Sequence, residues 1–443
     1  MKLHWRDLGG RRADRADGKR VELAGFPVAF LPAASTEQFL VMAEPGCCVG
    51  CVPSNPLAVV EVSMRAPLRL SGEALRLSGT WQVAGAGKDA RYRLLDATPV
   101  AGLGRRTLMA ASPLFCLPVA PALAQAADGT AIDIHSHAGN LLSATFGRAT
   151  FSAVAAPMRQ GGVSTICLAM VADAPVIQTT GGRFRPMREP RPGELASFGQ
   201  TAFGQLHALV RDQGLALVRS SAELRAATAA RPSVIVAAEG ADFLDGKLDR
   251  LDDAWQRWGL RHLQLTHYRV NELGDIQTEP ATQGGLTAFG AEVIRRCNQL
   301  GIVVDVAHGT YELVQKAATV TSKPLVLSHT SLTDRPTPWT RRILPDHARA
   351  IAATGGVIGL WPPTAFFPSL DAFVAGFARA VEIVGIDHVG LGTDMLGLGS
   401  PSIVPGYAEV ASLAAALRTR FTAEETAKLL GGNYRRVFQA SVP

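Results

Sequence analysis

Eight short apolar segments recur along residues 131–394, and each is followed by a stretch with helical character. They are AIDIHSHA (131–138), VSTICLAMVA (163–172), SVIVAAEGAD (233–242), LRHLQLTH (260–267), GIVVDVAH (301–308), PLVLSHT (324–330), GGVIGLWP (355–362) and HVGLGTD (388–394). Almost continuous hydrophobic strands that alternate with helices are typical of a parallel sheet covered on both faces. Eight such units predict a closed (β/α)8 barrel rather than an open sheet.

Two helices of this region carry terminal signals. The segment LTAFGAEVIRRCNQLG (286–301) places Gly301 where a helix is expected to end, since glycine readily adopts the left-handed backbone of that position. Near the chain end, Thr422 and Glu425 have the spacing of a capping box, which predicts the start of a helix.

Residues 1–100 have a different pattern of apolar and polar residues. KRVELAGFPVAF, EQFLVMAE, LAVVEVSM and EALRLSGTWQV alternate apolar and polar positions between Gly/Pro turns, which predicts a small β barrel or sandwich. The pattern GK-V-L-GF … GCC … P-x-N resembles that of a short uncharacterised bacterial domain. Cys47, Cys48 and Cys51 form its chemical cluster, in which Cys48-x-x-Cys51 could bind a metal, cycle as a dithiol or form a structural disulfide. The function of this part is not predicted.

Between the two parts, GRRTLMAASPLFCLPVAPALAQA (104–126) reads as an export signal, with paired arginines, an apolar run and a small-residue cleavage site. The run at 108–124 is short for a spanning helix and holds three prolines, which favours a signal core over a stable anchor. We therefore predict a β-rich domain at 1–100, a twin-arginine-type signal or linker at 101–127 and a barrel at 128–443.

The signal has consequences for location and partners. Cleavage after it would leave an exported, periplasmic barrel delivered by the twin-arginine export machinery, whereas an uncleaved segment would tether the barrel to a membrane. A gene fusion or a start codon assigned too early would explain its internal position. The net charge of +6 is spread along the chain without a long basic run or interleaved aromatic residues, so nucleic acid is not an expected partner.

Ionisable side chains end six of the eight predicted strands, and only strands two and seven lack one. They are His135 and His137 on strand one, Glu239 on strand three, His267 on strand four, His308 on strand five, His329 on strand six and Asp394 on strand eight. The C-terminal strand ends of a (β/α)8 barrel form one rim, where active sites lie. These groups are therefore predicted to meet at one site.

Imidazole nitrogen and carboxylate oxygen at such a rim suit zinc or a similar first-row metal. His135 and His137 are two residues apart on a strand, so their side chains point to the same face. Glu239 can bridge two ions with its two oxygens, which makes a pair of divalent ions plausible. The remaining histidines are predicted not to be ligands: His4, His207, His262, His347 and His388.

The barrel region, over residues 131–438, resembles the membrane (renal) dipeptidases, zinc-dependent members of the amidohydrolase superfamily. The ordered motifs that carry the resemblance are DIHSH, AAEG, LTHYRVNELGD, GGLTAFGAEVIRRCNQLGIVVDVAH, VLSHTS, RRILPD, GGVIG, HVGLGTD and LLGGNYRRVF. The resemblance implies a dipeptide as substrate, two zinc ions and, as a family expectation, a homodimer.

The resemblance also implies roles for individual residues. His135 and His137 would bind the first metal, His308 and His329 the second, and Glu239 would bridge both. Asp394 would be the proton-shuttling acid/base, His267 would polarise the scissile carbonyl, and Arg341 would bind the free carboxylate of the substrate. Arg342 is adjacent, so a one-residue slip of this last assignment stays open.

The sequence departs from the family at strand one, where the usual His-x-Asp is His135-Ser136-His137. Neutral imidazole in place of a carboxylate makes the site one unit more positive. This keeps open hydrolysis of another small amide, lactone or N-acyl amino acid, and a non-catalytic metal-dependent binding module is a third possibility. The Arg/Pro-rich loop 173–195 could shape a different pocket or be a solvated lid.

The signal generates a direct prediction. If it is used, the mature protein in the exported fraction begins at Ala127, as N-terminal sequencing would show. A mature chain that retains residues 108–124 and sediments with membranes would support tethering, and a cytoplasmic chain of full length would contradict both.

Overall fold

The computed structural model describes residues 2–8, 11–29, 36–42, 59–68, 75–84, 91–100, 131–180, 183–335, 340–397 and 401–443. The chain forms two compact units, one of Met1–Ala126 with Thr179–Arg183 and Gly399–Pro401, the other of the remaining residues. The predicted signal at 104–126 and its boundaries lie outside the described residues, as do Cys47, Cys48 and Cys51. Within the described residues, no helix combines the length and the hydropathy needed to cross a bilayer.

The first unit is a small closed β barrel, which confirms the predicted fold of this part. Its elements are helix α1 (Arg11–Asp14) and strands β1 (Arg20–Ala29), β2 (Thr36–Met42), β3 (Val59–Leu68), β4 (Leu75–Ala84) and β5 (Arg91–Pro99). The strand order is β1-β2-β3-β5-β4, with β3 and β5 parallel and the other pairs antiparallel. The segment that forms β5 was not among the predicted strands.

Apolar side chains fill the interior of this barrel. Trp81 and Tyr92 are fully buried and stack with ring centroids 5.2 Å apart, and the Trp81 indole donates to the backbone oxygen of Ala13 at 3.1 Å. Such aromatic pairs stabilise beyond the area they bury. The alternation of buried and partly exposed residues along β3 and β5 follows from the opposite faces of successive strand residues.

The second unit is a parallel barrel of eight main strands. The strands are β6 (Ala131–Ser136), β7 (Val163–Val171), β11 (Ser233–Glu239), β12 (Leu260–Gln264), β13 (Val303–Asp305), β14 (Val326–Thr330), β15 (Val357–Leu360) and β16 (Val389–Leu391). Three further strands lie outside this set of eight. β8 (Ile177–Thr180) pairs with β9 (Arg183–Pro186), and β10 (Ala216–Leu217) pairs with β11. Each main strand lies within one of the eight predicted segments, so the predicted (β/α)8 fold is confirmed.

The first and last strands close the barrel by a few contacts instead of a continuous ladder. Ser136 and Met395 form an isolated parallel bridge, the backbone N–H of His137 donates to Met395 O at 2.8 Å, and that of Asp394 donates to His135 O at 3.0 Å. All these contacts lie at the C-terminal ends of β6 and β16. The seam of the barrel therefore runs directly beneath three of the predicted site residues.

Helices cover the outside of the barrel. They are α2 (Leu141–Thr145), α3 (Ala155–Gly161), α4 (Glu194–Asp212), α5 (Ser221–Ala226), α6 (Asp249–Arg257), α7 (Ala288–Leu300), α8 (Tyr311–Val320), α9 (Pro345–Ala353), α10 (Leu370–Val384), α11 (Val410–Leu417), α12 (Ala423–Ala427) and α13 (Asn433–Ser441). Gly301 ends α7 with φ 74°, and Thr422 with Glu425 forms the capping box that begins α12. Both terminal signals are confirmed.

Glycines allow the closest approach between barrel strands. A Cβ atom on Gly359 of β15 would overlap the backbone oxygen of Ser328 on β14. We expect Gly359→Ala to destabilise the second unit by about 3 kcal/mol, because neither backbone can move without breaking the sheet. Thermal unfolding of the purified protein measures this as a lowered Tm.

The matched control is Gly204, which lies inside α4 with open space around its Cβ position. Gly204→Ala should raise stability by about 0.5–1 kcal/mol, since alanine favours the helix. Equal effects of the two substitutions would contradict the packing described for Gly359.

Candidate metal centre and active site

The ends of six barrel strands bring seven ionisable side chains into one buried cluster around Glu239. All have less than a tenth of their surface exposed. The members are His135, His137, Glu239, His267, His308, His329 and Asp394. The structure therefore brings together every rim residue that the sequence predicted.

One half of the cluster lies at the end of β6. The Nε2 atoms of His135 and His137 are 3.1 Å apart, and they lie 3.3 Å from Oε1 and 3.2 Å from Oε2 of Glu239, respectively. The three side chains offer ligand atoms close enough to one another to hold one metal ion.

The other half lies at the ends of β13 and β14. The Nε2 atoms of His308 and His329 are 3.1 Å apart, and they lie 3.2 Å and 3.5 Å from Oε1 of Glu239. These side chains form a second group that could hold a metal ion. Glu239 belongs to both groups, as a bridging carboxylate would. Within the described residues, these two groups of side chains are the ones that could hold a metal ion.

The protonation pattern of His137 fits a metal ligand. Its Nδ1 lies 2.9 Å from the backbone oxygen of Ala169, which can only accept a hydrogen bond, so Nδ1 carries the proton. In the neutral ring the Nε2 lone pair then faces His135 and Glu239, and lone pairs at these distances repel one another. A divalent cation among them replaces repulsion by coordination, and a ligand histidine usually donates its other N–H in this way.

Burial and charge act in opposite directions on the cluster. Burial by itself would raise the pKa of Glu239, but the imidazoles of His267 and His135 hold that pKa well below its usual range. Burial and the nearby Arg341 guanidinium keep the pKa of His308 well below the ordinary histidine value. Burial and neighbouring positive groups do the same to the pKa of His329. An ionised Glu239 with neutral His308 and His329 is the protonation state in which these side chains bind zinc-like ions.

Asp394 lies at the edge of the first half. Its Oδ1 is 3.5 Å from Nε2 of His137 and 3.9 Å from Nε2 of His135. Burial raises the pKa of Asp394 to about 7, with repulsion from Glu239 adding to the effect and His137 opposing it. Asp394 and His308 both adopt left-handed backbone, with φ of 50° and 68°. Such conformations are uncommon outside glycine, and they concentrate at functional sites.

His267 lies between two carboxylates. Its Nδ1 is 2.7 Å from Oδ1 of Asp173 and its Nε2 is 3.2 Å from Oε2 of Glu239. Burial would lower the pKa of His267, but the charges of Asp173 and Glu239 raise it to about 9. The doubly protonated ring is a hydrogen-bond donor on both sides.

Asp173 is a site residue that the sequence analysis missed. Strand two was predicted to contribute no ionisable group, yet Asp173 follows β7 after a single intervening residue and is fully buried. Its second oxygen accepts the backbone N–H of Tyr268 at 3.0 Å. The sequence feature that could have identified Asp173 is its position immediately beyond the predicted end of strand two at residue 172.

The structure places Arg341, and not Arg342, against the cluster. Nη2 of Arg341 lies 3.1 Å from Nε2 of His329, and Nη1 donates to Oε1 of Gln277 at 2.7 Å. Trp361, directly after β15, has its ring 5.8 Å from the Arg341 guanidinium carbon. Arg342 instead stacks on Phe366 with its guanidinium 5.0 Å from the ring centroid.

The loop after strand two pairs its arginines with carboxylates. Arg185 forms a bidentate contact with Glu279 at 2.7 and 2.8 Å, and Nη1 of Arg188 donates to Glu194 at 2.8 Å. Both arginines are partly exposed, so these pairs hold the loop but contribute little stability.

The histidines predicted not to be ligands lie outside both metal-binding groups. His207 contacts the backbone oxygen of Trp258, and His388 that of Gly356. His262 binds Asp305 and Tyr434, while His347 is a buried residue of α9. His4 belongs to the first unit.

Comparisons with known proteins agree with this architecture. The family model described as membrane dipeptidase (peptidase family M19) matches residues 152–442. The chain is 28% identical over 196 residues to an uncharacterized dipeptidase of Schizosaccharomyces pombe, covering 41% of this chain and 46% of that protein. It is 30% identical over 201 residues to dipeptidase tcpJ of Claviceps purpurea, covering 42% and 45%. The chain thus spans about half the length of these relatives.

A solved structure shares the fold. The metallo peptidase from Rhodobacter sphaeroides liganded with a phosphinate mimic of the dipeptide L-Ala-D-Ala superposes with a TM-score of 0.59 at 22% identity, covering 70% of this chain and 99% of that one. The match to the family model begins after His135 and His137, so the departure at strand one lies outside it. With the family model covering most of the barrel, the chain belongs to the membrane dipeptidase family, peptidase family M19.

Proposed function

We propose that this protein is a metal-dependent dipeptidase, a hydrolase that cleaves the peptide bond of dipeptides. The observation that carries the proposal is the carboxylate of Glu239 shared by two histidine pairs, with Asp394, His267 and Arg341 beside it. Family membership and relatives named dipeptidases support the same activity.

The residues present fit two divalent ions, with zinc the best match to the donor set of imidazole nitrogens and carboxylate oxygens. His135, His137 and Glu239 would hold one ion, and Glu239, His308 and His329 the other. Bound there, the ions supply a nucleophile from water at neutral pH and a Lewis acid for the scissile carbonyl.

Asp394 is the acid/base of the proposed reaction. When water adds to the carbonyl carbon, the Oδ1 atom of Asp394 takes up the proton that the water loses. The same proton then passes to the amine nitrogen as the carbon–nitrogen bond breaks, so no other donor is needed. Burial in the rim, which raises the pKa of this carboxyl group, suits it to both steps.

His267 stabilises the negative charge that develops on the carbonyl oxygen. Asp173 binds Nδ1, so that Nε2 of the doubly protonated ring faces the interior of the site. A donor held in place before the reaction is a major source of transition-state stabilisation.

Arg341 binds the free carboxylate of the substrate. Its guanidinium is held at the rim by Gln277 and lies next to His329. A planar guanidinium suits bidentate recognition of a carboxylate. This contact selects small substrates that carry a free acid, as dipeptides do.

His137 favours a second candidate, hydrolysis of another small amide, lactone or N-acyl amino acid. A neutral imidazole stands where the family usually has a carboxylate, which makes the site more positive. A panel of L,L and L,D dipeptides, extended to these compounds, distinguishes the two. Cleavage of the extended set alone would replace the dipeptidase assignment.

Asp394→Asn is expected to abolish dipeptide turnover while bound metal stays near the wild-type level, because the amide cannot exchange the proton. Steady-state kinetics and elemental analysis of the same preparations measure this. The comparison variant, Glu239→Gln, should lose metal and activity together. Near-normal turnover by Asp394→Asn would rule out its acid/base role.

Asp173→Asn is expected to lower kcat by up to about a hundredfold with little change in KM, because His267 then loses the charge of a doubly protonated donor. Bound metal should stay at the wild-type level, since Asp173 contacts neither histidine pair. A fall confined to KM, or loss of metal, would show that Asp173 does not act through His267.

A further inference from the structure

Two buried aspartates lie beneath the metal centre, one under each half of it. Asp133 precedes His135 on β6, and Asp305 ends β13, three residues before His308. Both are essentially inaccessible to solvent. Within the described residues neither forms an ion pair with a lysine or arginine, so hydrogen bonds to the chain itself must satisfy each carboxylate.

Asp133 joins the two strands at the barrel seam. Its Oδ1 accepts the backbone N–H of Thr393 at 2.7 Å, and its Oδ2 accepts the Thr393 hydroxyl at 2.6 Å. Thr393 immediately precedes Asp394. The hydroxyl of Tyr407 donates to the same Oδ2 at 2.8 Å. The N–H of His135 makes a longer contact with Oδ1, at 3.4 Å. One carboxylate thus fixes the backbone next to His135 and next to Asp394.

Asp305 joins the two strands under the other half. Its Oδ1 accepts the backbone N–H groups of Ala307 at 2.9 Å and Ser328 at 3.1 Å. These residues directly precede the ligands His308 and His329. Its Oδ2 accepts Nε2–H of His262 at 3.1 Å. The backbones that carry both histidines of the second half are therefore attached to one carboxylate.

We propose that Asp133 and Asp305 are positioning residues, each of which sets the geometry of one half of the metal centre independently of the other. The inference rests on the proposed two-ion site. Each carboxylate binds backbone groups adjacent to two site residues on different strands. Within the described residues neither carboxylate hydrogen-bonds directly to a ligand of the opposite half; the nearest link is the Ser328 hydroxyl, 3.4 Å from Nδ1 of His135. Mutation of residues that support metal ligands by hydrogen bonds commonly lowers metal affinity by about 10- to 100-fold.

The need for such a connection is clearest at the seam. The sheet joins β6 to β16 through one isolated bridge and adjacent hydrogen bonds. Without Asp133, Thr393 would lose two hydrogen bonds, and Asp394 would be held across the seam mainly by its own N–H. Strands β13 and β14 are paired at a single position, Asp305 opposite Val326. The hydrogen bonds of the Asp305 side chain therefore extend a short ladder between these strands.

Zinc titration of the metal-free full-length protein against a competing chelator tests the proposal. Asp133→Ala should raise one of the two Zn²⁺ dissociation constants by about 10- to 100-fold and leave the other within about threefold of the wild-type value. Asp305→Ala should do the same to the other constant. The Asp→Asn variants keep an acceptor for the backbone N–H groups and should lose less affinity than the alanine variants.

Variants of the metal-binding histidines show which dissociation constant belongs to which half of the metal centre. In a His308→Ala background, where His135, His137 and Glu239 remain, Asp133→Ala should weaken Zn²⁺ binding and Asp305→Ala should not. In a His137→Ala background the effects should reverse. The matched control is Asn433→Ala, which removes two side-chain bonds to the backbone at residues 386 and 389, at the opposite end of the same barrel. It should lower Tm without changing either constant.

The outcomes are distinct. If each aspartate variant weakens both sites equally, or if neither weakens Zn²⁺ binding, the proposal is overturned. Wild-type protein that binds no Zn²⁺ overturns it as well. Wild-type protein that binds two Zn²⁺ ions but cleaves no dipeptide rejects the proposed activity alone and leaves the positioning test valid.

Discussion

The carboxylate of Glu239 lies within 3.5 Å of a ring nitrogen from each of five histidines, and the rest of the barrel rim is organised around that contact. A buried carboxylate requires positive charge or hydrogen bonds to remain ionised. His267 provides a cation on one side. The two histidine pairs provide ring nitrogens that could coordinate metal ions, and one of them, Nε2 of His329, also lies 3.1 Å from the Arg341 guanidinium. The net charge of the whole site therefore depends on the protons and cations bound by the groups that contact Glu239.

Three of the five histidines around Glu239 are oriented by a second partner. Ala169 O binds the far nitrogen of His137, the Ser328 hydroxyl lies 2.9 Å from Nδ1 of His329, and Asp173 binds His267. These partners come from the strands themselves or from residues just beyond their ends. A rigid sheet thus determines tautomer and direction, which a flexible loop could not do with the same accuracy.

The two units differ in what their sequences reveal. In the second unit the eight apolar segments predicted every main strand, because parallel strands are buried on both faces and read as continuous hydrophobic runs. The first unit was predicted as β-rich, but RYRLLDATP (91–99) was missed. Exposed Arg93 stands between buried Tyr92 and Leu94, and Asp96 is exposed as well, so the run has no continuous apolar signal. Its closed barrel describes the architecture only, since fold does not imply function.

Strand periodicity and the polar residues at strand ends were sufficient to predict the barrel, its rim and the grouping of His135, His137, Glu239, His308 and His329. Those inferences depend on local spacing and on one topological rule, that parallel strand ends meet. The tertiary structure alone decided that Asp173 reaches His267 and that Arg341 rather than Arg342 faces His329. It also showed that Asp133 and Asp305 join strands that are distant in the chain. These contacts depend on loop paths and side-chain directions, which are set by packing between segments far apart in sequence and leave no periodic trace.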